Sequence, residues 1–278
     1  MPASAIKFVL EQLRFFSLLG AVLGFATTAL AEENTSTQSL RICADPGNLP
    51  FSHQDGEGFE NKVAELLGRE LGLPVTYTWF PQTIGFIRNT LNAKKCDLIM
   101  GAVADQEPLQ STNAYYSSAY TLITPAGSDL ADVKSLSDPR LKGRSIGIIA
   151  GTPPATIMAM KGLLDRSKSF PLAVDRRHYS PAEHIVSEIT GGQLDAGILW
   201  GPIAGYYTRK SEVDLIVTPL LSETAGPQMV FAISMGVRHG DKGWKERVNQ
   251  LITAHQNEID TILKEYGVLL VSPEAHRL

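Results

Sequence analysis

Residues 40–71, LRICADPGNLPFSHQDGEGFENKVAELLGREL, contain the signals that decide the fold. The run from residue 41 to 44 is short and mostly apolar, and Asp45, Pro46 and Gly47 follow it, as expected where a buried strand ends. Further on, apolar residues recur at helical spacing: Phe59, Val63, Leu66, Leu67 and Leu71. The stretch therefore predicts a strand, a loop and a helix that lies with one apolar face on a sheet.

The loop between this strand and this helix is the first candidate binding site. It carries Asn48, Pro50, Phe51 and Ser52 at the carboxyl end of the strand. Ligands of open α/β sheets bind beside such loops. We therefore expect Asn48 and Phe51 to face a ligand.

The residues that follow repeat this unit. Their β-branched and aromatic content predicts a strand at residues 75–80, and residues 96–101 are predicted to form another. Between them, Ile84, Ile87 and Leu91 mark a short helix. Strands that alternate with helices indicate a parallel sheet, so the loops after the three strands should converge on one edge.

A second series of elements follows a polar, turn-rich boundary at residues 129–142, and the extended segment 120–124 is predicted to lead the chain out of the first series. Four further strands are predicted, at residues 145–149, 172–174, 195–200 and 214–218. Ser180 and Glu183 form a capping-box pattern that starts a helix, with Pro181 at its first position. The pattern predicts a second α/β lobe.

The C-terminal part of the chain is predicted to return to the first lobe. Residues 229–235 are a candidate buried strand, and the apolar spacing from Asp241 to Gly267 predicts one long amphipathic helix. We therefore expect an α/β protein of two lobes, each a mainly parallel sheet flanked by helices, joined by strands that cross between the lobes.

The N-terminal residues have the features of a signal peptide. Lys7 and Arg14 are basic, residues 15–30 are apolar, and residues 29–31 (Ala-Leu-Ala) match a small-x-small cleavage pattern. An uncleaved membrane anchor is the alternative. The predicted segments are a signal peptide (1–31), a polar leader (32–39), the first part of lobe 1 (40–122), lobe 2 (123–221) and a return to lobe 1 (222–278). The mature protein is then expected to be exported and not embedded in the membrane.

Composition and motifs argue against several functional classes. The chain has 278 residues, a net charge of −4 and no stretch dense in Lys or Arg, which argues against nucleic acid as a partner. It contains no nucleophile elbow, Walker loop, H-E-x-x-H pair or dinucleotide G-x-G-x-x-G motif. The six histidines show no metal-ligand spacing. We therefore predict a protein that is not an enzyme and that holds no metal and no cofactor.

The two cysteines, Cys43 and Cys96, are candidates for a disulfide. An even number of cysteines in an exported protein favours a bridge, and the predicted strands that carry them are neighbours in the sheet. Two buried thiols are the alternative. A bridge requires Cα atoms within about 7 Å of each other.

Aromatic residues at predicted strand ends are further candidates for the site. They are Phe51, Trp79, Phe80, Tyr120 and Trp200. Their faces would suit a flat or apolar ligand, although each such residue is individually more often part of a core. Gly151 and Thr152 open a helix whose free N–H groups would suit an anionic group, and an ordinary capped helix is the alternative.

Residues 40–270 resemble the type II periplasmic solute-binding proteins of bacteria. The strings that carry this resemblance are DPGNLPF, GFE, KKCDLIMG, YYSSAY, IGIIAGT and QLDAGILWGPIAGYY. Longer strings are similar to the solute-binding-like component associated with quinoprotein dehydrogenases of the methanol type; they are RICADPGNLPFS, GFENKVAELL, GFIRNTLNAKKCDLIMG, TPPA and LWGPIAGYY.

The resemblance also indicates what the site lacks. In amino-acid-binding relatives an Arg before the crossing strand takes the ligand carboxylate, and Gln110 occupies that place here. An Asp of those relatives lies near the ligand amine, and Trp200 stands at its position. A neutral Gln cannot reproduce an Arg–carboxylate pair, so we expect a neutral, aromatic cleft that does not bind amino acids.

The resemblance implies a periplasmic protein with an accessory role. The protein would help the maturation or activation of a pyrroloquinoline-quinone-dependent alcohol dehydrogenase by binding the enzyme, its cofactor or a peptide segment. The alternative is a receptor that delivers an uncharged or aromatic solute to an ABC permease.

Overall fold

The structure is a computed structural model that describes residues 38–223, 225–272 and 275. The predicted signal peptide and most of the polar leader lie outside the described residues. The elements, in chain order, are β1 (Leu40–Ala44), β2 (Gly47–Asn48), β3 (Ser52–His53), α1 (Phe59–Leu71), β4 (Val75–Trp79), α2 (Phe86–Asn89), β5 (Leu98–Val103), β6 (Gln110–Pro125), a 3-10 turn (Pro139–Leu141), β7 (Ile146–Ile149), α3 (Pro153–Met160), β8 (Lys168–Phe170), α4 (Pro181–Thr190), β9 (Ala196–Trp200), α5 (Gly201–Arg209), β10 (Leu215–Pro219), β11 (Val230–Val237), α6 (Lys242–Ala254) and α7 (Gln256–Glu265).

The strands form two sheets that share β6. In lobe 1 the order is β4-β1-β5-β11-β6, and in lobe 2 it is β6-β9-β7-β8, with β10 on the other edge of β6. The strands of the strand–helix–strand units pair in parallel, namely β1 with β4 and β5, and β7 with β8 and β9. The crossing strands β6 and β11 run antiparallel to their neighbours because the chain passes from lobe 1 to lobe 2 and back. The predicted two-lobed α/β fold with crossing strands is confirmed.

Each lobe has its own core. The lobe 1 core packs α1 and the C-terminal helices on the sheet, with Phe59, Leu67 and Ile259 almost fully buried. In lobe 2, neighbouring residues of β6 enter different clusters: Leu122 packs with the α3 side and Ile123 with the α4 side. This alternation follows from the two-residue period of a strand, and it gives the lobe 2 sheet helices on both faces. The predicted limits of the three segments stay a prediction.

Local hydrogen bonds fix the starts of two helices, α4 and α1. In α4 the Ser180 hydroxyl accepts the Glu183 N–H at 3.3 Å, as the capping pattern predicts. In α1 the fully buried Asn61 carboxamide oxygen accepts the N–H groups of Gly58, at 3.0 Å, and His53, at 2.9 Å. The helix start is thereby fixed to the loop that follows β1.

The crossing segment is longer than predicted. Sequence analysis placed a short extended segment at residues 120–124, whereas β6 is a single strand of 16 residues. Its first part pairs with β11 and its last part with β9 and β10. The first part is rich in Ser, Thr and Asn, so its sequence alone does not have the composition of a strand. Pairing with β11 supplies the partner that makes it one.

Three other predicted elements are corrected by the structure. The strand predicted at residues 172–174 lies earlier, at β8, because Pro171 has no N–H group to continue the ladder. The helix marked by Ile84 is a single turn that begins at Phe86, and the Ile84 side chain is fully exposed. The long helix predicted from residue 241 to 267 is divided at His255, whose backbone leaves helical geometry between α6 and α7.

Cys43 and Cys96 form a disulfide, as predicted. Their Cα atoms are 5.4 Å apart. The bridge lies in a small apolar cluster with Phe86, Leu91 and Ile99, beside the outer strands of lobe 1. The strand after Cys96 begins at Leu98, two residues later than the predicted start.

Candidate functional site

A cavity of about 480 Å³ lies between the lobes. We call it the interlobe cavity. Lobe 1 lines it with residues of the loops after β1 and β4 and with the end of β5, so the three loops converge as the parallel sheet predicts. Its lining residues are Asn48, Phe51, Glu60, Gln82, Gly101, Ala102, Val103, Gln106, Tyr116, Tyr120, Ile149, Thr152, Pro153, Leu172, Arg176, Ile198, Leu199, Trp200, Ile203, Phe231 and Ile233.

Three aromatic rings on neighbouring strands form one wall of this cavity. We call Tyr120, Trp200 and Phe231 the aromatic trio. Its ring centroids are 5.3 Å apart for Tyr120 and Trp200, 5.8 Å for Trp200 and Phe231, and 6.4 Å for Tyr120 and Phe231, all at steep interplanar angles. Edge-to-face contacts of this kind are favourable between aromatic rings. The trio presents a preformed apolar surface to the cavity.

Tyr120 also holds the point where the chain crosses between the lobes. Its ring belongs to the trio, while its backbone pairs with the returning segment. The Tyr120 N–H donates to the Met229 carbonyl oxygen at 2.9 Å, and the Tyr120 carbonyl oxygen accepts the Leu220 N–H at 2.9 Å. In the sheet, Tyr120 lies opposite Trp200. The aromatic trio therefore lies where the chain crosses between the lobes.

Five of the residues proposed from sequence line the interlobe cavity. They are Asn48, Phe51, Tyr120, Thr152 and Trp200. Asn48 is buried, and its carboxamide connects both sides of the cavity: its N–H donates to Gln82 Oε1 at 3.0 Å, and its oxygen accepts from Arg176. The functional role of these residues stays a prediction, but they share one cavity.

The structure places Trp79 and Gln110 outside the lining. Trp79 ends β4, the outermost strand of the lobe 1 sheet, and its ring stacks on Tyr77 at 4.6 Å against the lobe 1 core. Gln110 begins β6 opposite Val237, and its Oε1 is buried without a hydrogen-bond partner among the described residues. From the same part of the chain, Gln106 lines the cavity instead. Gln110 therefore does not line the interlobe cavity, and its correspondence to the anchor position of amino-acid-binding relatives stays a prediction.

Gly151 also lies outside the lining, although the next residue, Thr152, belongs to it. The first turn of α3 begins with Pro153 and Pro154, which have no N–H groups. The Thr152 hydroxyl is already used, since it donates to the Ile149 carbonyl oxygen at 2.7 Å. Two of the N–H donors of this helix end are therefore missing, and the anion site at Gly151 and Thr152 stays a prediction.

The cavity is not neutral, contrary to the sequence-based expectation. Glu60 and Arg176 both line it. Sequence reasoning missed both, and it also missed Phe231. A signal existed for Glu60, which belongs to the string GFE at the start of α1, and for Phe231, which lies within the predicted return strand. No such signal existed for Arg176, because sequence analysis predicted only a strand, at residues 172–174, in that part of the chain.

Glu60 has an unusual environment. Burial of its carboxyl, and secondarily the negative charge of Asp45, raise the pKa of Glu60 from 4.5 to about 8. The close fit depends on Gly101, because a Cβ atom there would lie 2.1 Å from Glu60 Oε1. Glu60 is therefore mostly protonated at neutral pH, and its carboxyl can donate a hydrogen bond into the cavity.

Asp45 carries its charge behind the lining. It is buried, and its two oxygens accept the N–H groups of Gly47, at 2.9 Å, and Gln82, at 2.6 Å. Backbone donors thus satisfy this carboxylate, and they fix the loops after β1 and β4 to each other.

Neither a metal site nor a membrane-spanning helix is found in the part of the chain that the structure describes. No group of three His, Cys, Asp or Glu side chains there is placed to hold a metal ion. No helix within the described ranges is long and apolar enough to cross a membrane.

Comparison with known proteins gives a consistent set of similar chains. The family model of the bacterial extracellular solute-binding proteins of family 3 matches residues 40–268. Protein MoxJ of Methylorubrum extorquens is 31% identical over 259 residues, which cover 87% of this chain and 85% of MoxJ. The crystal structure of the periplasmic binding protein XoxJ from Methylobacterium extorquens AM1 is 40% identical, with a TM-score of 0.72 over 84% of this chain and 99% of XoxJ. The structure of MxaJ from Methlophaga aminisulfidivorans MPT is 25% identical, with a TM-score of 0.71 over 84% of this chain and 100% of MxaJ.

Proposed function

This chain belongs to the bacterial extracellular solute-binding proteins of family 3, and we propose that it acts in the periplasm as the accessory protein of a quinoprotein alcohol dehydrogenase of the methanol type. It helps the maturation or activation of that enzyme by binding the enzyme, its cofactor or a peptide segment. Two findings support this proposal: the motifs of residues 40–270 resemble such components, and MoxJ, XoxJ and MxaJ are similar over most of the chain.

The observation that carries the proposal is the aromatic trio in the interlobe cavity. Solute-binding proteins hold their ligands between two lobes, and here Tyr120, Trp200 and Phe231 give that position a large apolar face. Buried aromatic residues often dominate a binding surface. The cavity therefore suits an apolar or aromatic group of the partner or its quinone.

The lining residues support binding rather than catalysis. Among the described residues that line the interlobe cavity there is no His, Cys or Ser. Glu60 has a raised pKa, but no side chain beside it completes a nucleophile and base pair of the kind that acyl or glycosyl transfer needs. We therefore propose a protein that binds and does not catalyse.

The test compares two tryptophans in a strain that lacks the native copy of this protein. Trp200→Ala should strongly reduce dehydrogenase activity per accessory protein molecule, because truncation of a buried aromatic anchor costs about 2 kcal/mol of binding or more. Trp79→Ala is the matched control, since Trp79 is also half-buried at a strand end but lies outside the cavity. The periplasmic abundance of each variant is measured alongside the activity.

Two results would contradict the proposal. If Trp200→Ala is abundant and fully active, the working surface lies on the outer faces of the lobes. If deletion leaves dehydrogenase activity unchanged and abolishes uptake of an uncharged or aromatic solute, the protein is a transport receptor.

A further inference from the structure

Arg176 is a cation of the interlobe cavity that forms no ion pair with a carboxylate of the described residues. It lies in the loop after β8, in lobe 2, and Nη1 donates across the cleft to the Asn48 carboxamide oxygen of lobe 1. Nε and Nη2 have no hydrogen-bond partner among the described residues, and no carboxylate of those residues lies within 4.0 Å. The neighbouring Arg177 differs, because it forms an ion pair with Asp175 at 2.6 Å.

The position of Arg176 gives it access to both sides of the cleft. It lines the interlobe cavity and also a second cavity of about 440 Å³, which shares Asn48, Ile149, Leu172 and Ile203 with the first. Desolvation lowers the pKa of Arg176, and the negative charge of Asp45 acts on it in the opposite direction. A guanidinium with unused donors in such a place favours an anionic group, and its planar fork matches a carboxylate.

The charges of the lining residues also favour an anion. Of the described residues that line the interlobe cavity, two have ionisable acidic or basic side chains, Glu60 and Arg176. Glu60 holds its proton at neutral pH because its pKa is about 8, so it presents a neutral donor. Asp45 is the nearby negative charge, but its oxygens are occupied by backbone N–H groups and it does not line the cavity. The lining thus carries one positive charge at pH 7.

We infer that the interlobe cavity recognises an aromatic ring that carries a carboxylate, with the ring on the aromatic trio and the carboxylate on the free donors of Arg176. This inference rests on the proposed use of the cavity and names the chemical class of the group it takes. It assigns the anion contact to Arg176 of lobe 2. The sequence-based candidates were the Gln110 position in lobe 1 and the start of α3, where Pro153 and Pro154 have no N–H groups.

The probes share one ring and differ in charge. Calorimetry at pH 7 compares indole-3-propionate, which is an anion, with uncharged tryptophol, cationic tryptamine and zwitterionic L-tryptophan. Indole-3-propionate should bind roughly tenfold tighter than tryptophol or more, as expected for a hydrogen bond between charged groups. Tryptamine and L-tryptophan should bind more weakly than indole-3-propionate, because Arg176 repels an ammonium group and Glu60 is protonated.

Three arginine variants separate charge from structure. Arg176→Met should reduce the affinity for indole-3-propionate to that of tryptophol while leaving tryptophol binding unchanged. Arg176→Lys should retain part of the preference, because it keeps the charge but loses the planar fork. Arg177→Met is the matched control and should behave like the wild type, since Arg177 pairs with Asp175 and does not line the interlobe cavity. Thermal unfolding of each variant checks that it is folded.

The inference is overturned if indole-3-propionate binds no tighter than tryptophol, if Arg176→Met weakens both probes equally, or if none of the probes binds at millimolar concentration. These results are distinct from failure of the proposed function. If they occur while Trp200→Ala still abolishes dehydrogenase activation, the accessory function stands and the carboxylate recognition is wrong.

Discussion

Trp79 and Trp200 have the same sequence signature and different places in the molecule. Each is the last residue of a strand whose carboxyl end the topology directs to the ligand edge of a sheet. Trp200 lies in the aromatic trio of the cavity. Trp79 lies on Tyr77, at the far edge of the lobe 1 sheet. Of the two tryptophans, the one that reaches the cavity lies on the strand that pairs with a crossing strand.

The difference teaches that strand order selects the site residues. The chain-order pattern gives the carboxyl ends of β4 and β9 equivalent places, but β4 is outermost in lobe 1 whereas β9 pairs directly with the crossing strand β6. Strand order is set by pairing between distant segments, and a local pattern does not contain that information. We call the two places the outer edge (β4, β1 and the disulfide cluster) and the hinge wall (the aromatic trio).

The largest expected effect concerns the outer edge. Replacing both Cys43 and Cys96 by Ala should reduce the free energy of unfolding by about 4 kcal/mol, because the bridge closes a long loop in the unfolded chain. The two cysteines are 53 residues apart in sequence. Urea denaturation monitored by circular dichroism measures the change. At low urea, where the variant is folded, its affinity for indole-3-propionate should equal that of the wild type.

Reduction of the wild-type protein with dithiothreitol is the control, because it opens the bridge without removing side-chain volume from the cluster. A stability loss below about 1 kcal/mol in both cases would show that the bridge does little for this fold. A change in probe affinity in the folded variant would mean that the outer edge and the hinge wall are coupled, and the distinction between them would fail.

Local sequence signals predicted the elements that local chemistry decides. The turn after β1 and the Ser180 cap of α4 follow from residues that act on their immediate neighbours. The disulfide joins residues 53 apart, and its prediction came from the even number of cysteines and from the neighbouring predicted strands that carry them. The division of the C-terminal helix at His255 could not be predicted, because the apolar spacing continues through that residue while its side chain contacts Glu70, on α1, and Glu258.

The site was predicted in part for the same reason. Asn48, Phe51 and Trp200 lie on loops or strand ends that the α/β pattern places at the ligand edge. The charges of the cavity were missed, because the pairing state of Arg176 and the protonation of Glu60 depend on which residues of the other segments approach them. Composition alone cannot distinguish a paired arginine, such as Arg177, from a free one.

The second prediction concerns the pH dependence of stability, which should come in part from Glu60, a lobe 1 residue that lines the cavity. The folded chain holds the Glu60 proton up to about pH 8, whereas the unfolded chain releases it near pH 4.5. The stabilising contribution is therefore fully present below pH 4.5 and is lost as the pH rises to about 8. Glu60→Gln keeps the neutral form at every pH, so its melting temperature should exceed that of the wild type by about 2 °C or more at pH 8.

The groups that act electrostatically on or with Glu60 are Asp45, Tyr77, Tyr115 and Tyr116. The three tyrosines have raised pKa values because of burial, so they stay neutral over this range. Melting curves from pH 5 to 9 test the prediction. Glu65→Gln, an exposed residue of the same helix that pairs with Lys62, is the control and should follow the wild type. Parallel curves for the wild type and Glu60→Gln would refute the assignment.

The smallest expected effect is measured within the ring pairs themselves. A double-mutant cycle with Tyr120→Ala and Trp200→Ala should give a coupling energy of about 1 kcal/mol, the usual value for an edge-to-face aromatic pair. The stacked Tyr77 and Trp79 of the outer edge should give a coupling of similar size, because their rings are also in contact at 4.6 Å. In the protein without ligand, urea denaturation should therefore give similar coupling energies for the two pairs.

Binding of indole-3-propionate should change the coupling energy of one ring pair and not of the other. If the probe ring lies on the hinge wall, saturation with it should change the coupling of Tyr120 and Trp200, because the bound ring contacts both partners and each single variant then loses ligand contacts as well. The coupling of Tyr77 and Trp79 should stay the same, since their stack lies outside the cavity. Equal responses of the two cycles would place the probe elsewhere, and a larger response at Tyr77 and Trp79 would make the outer edge the binding surface.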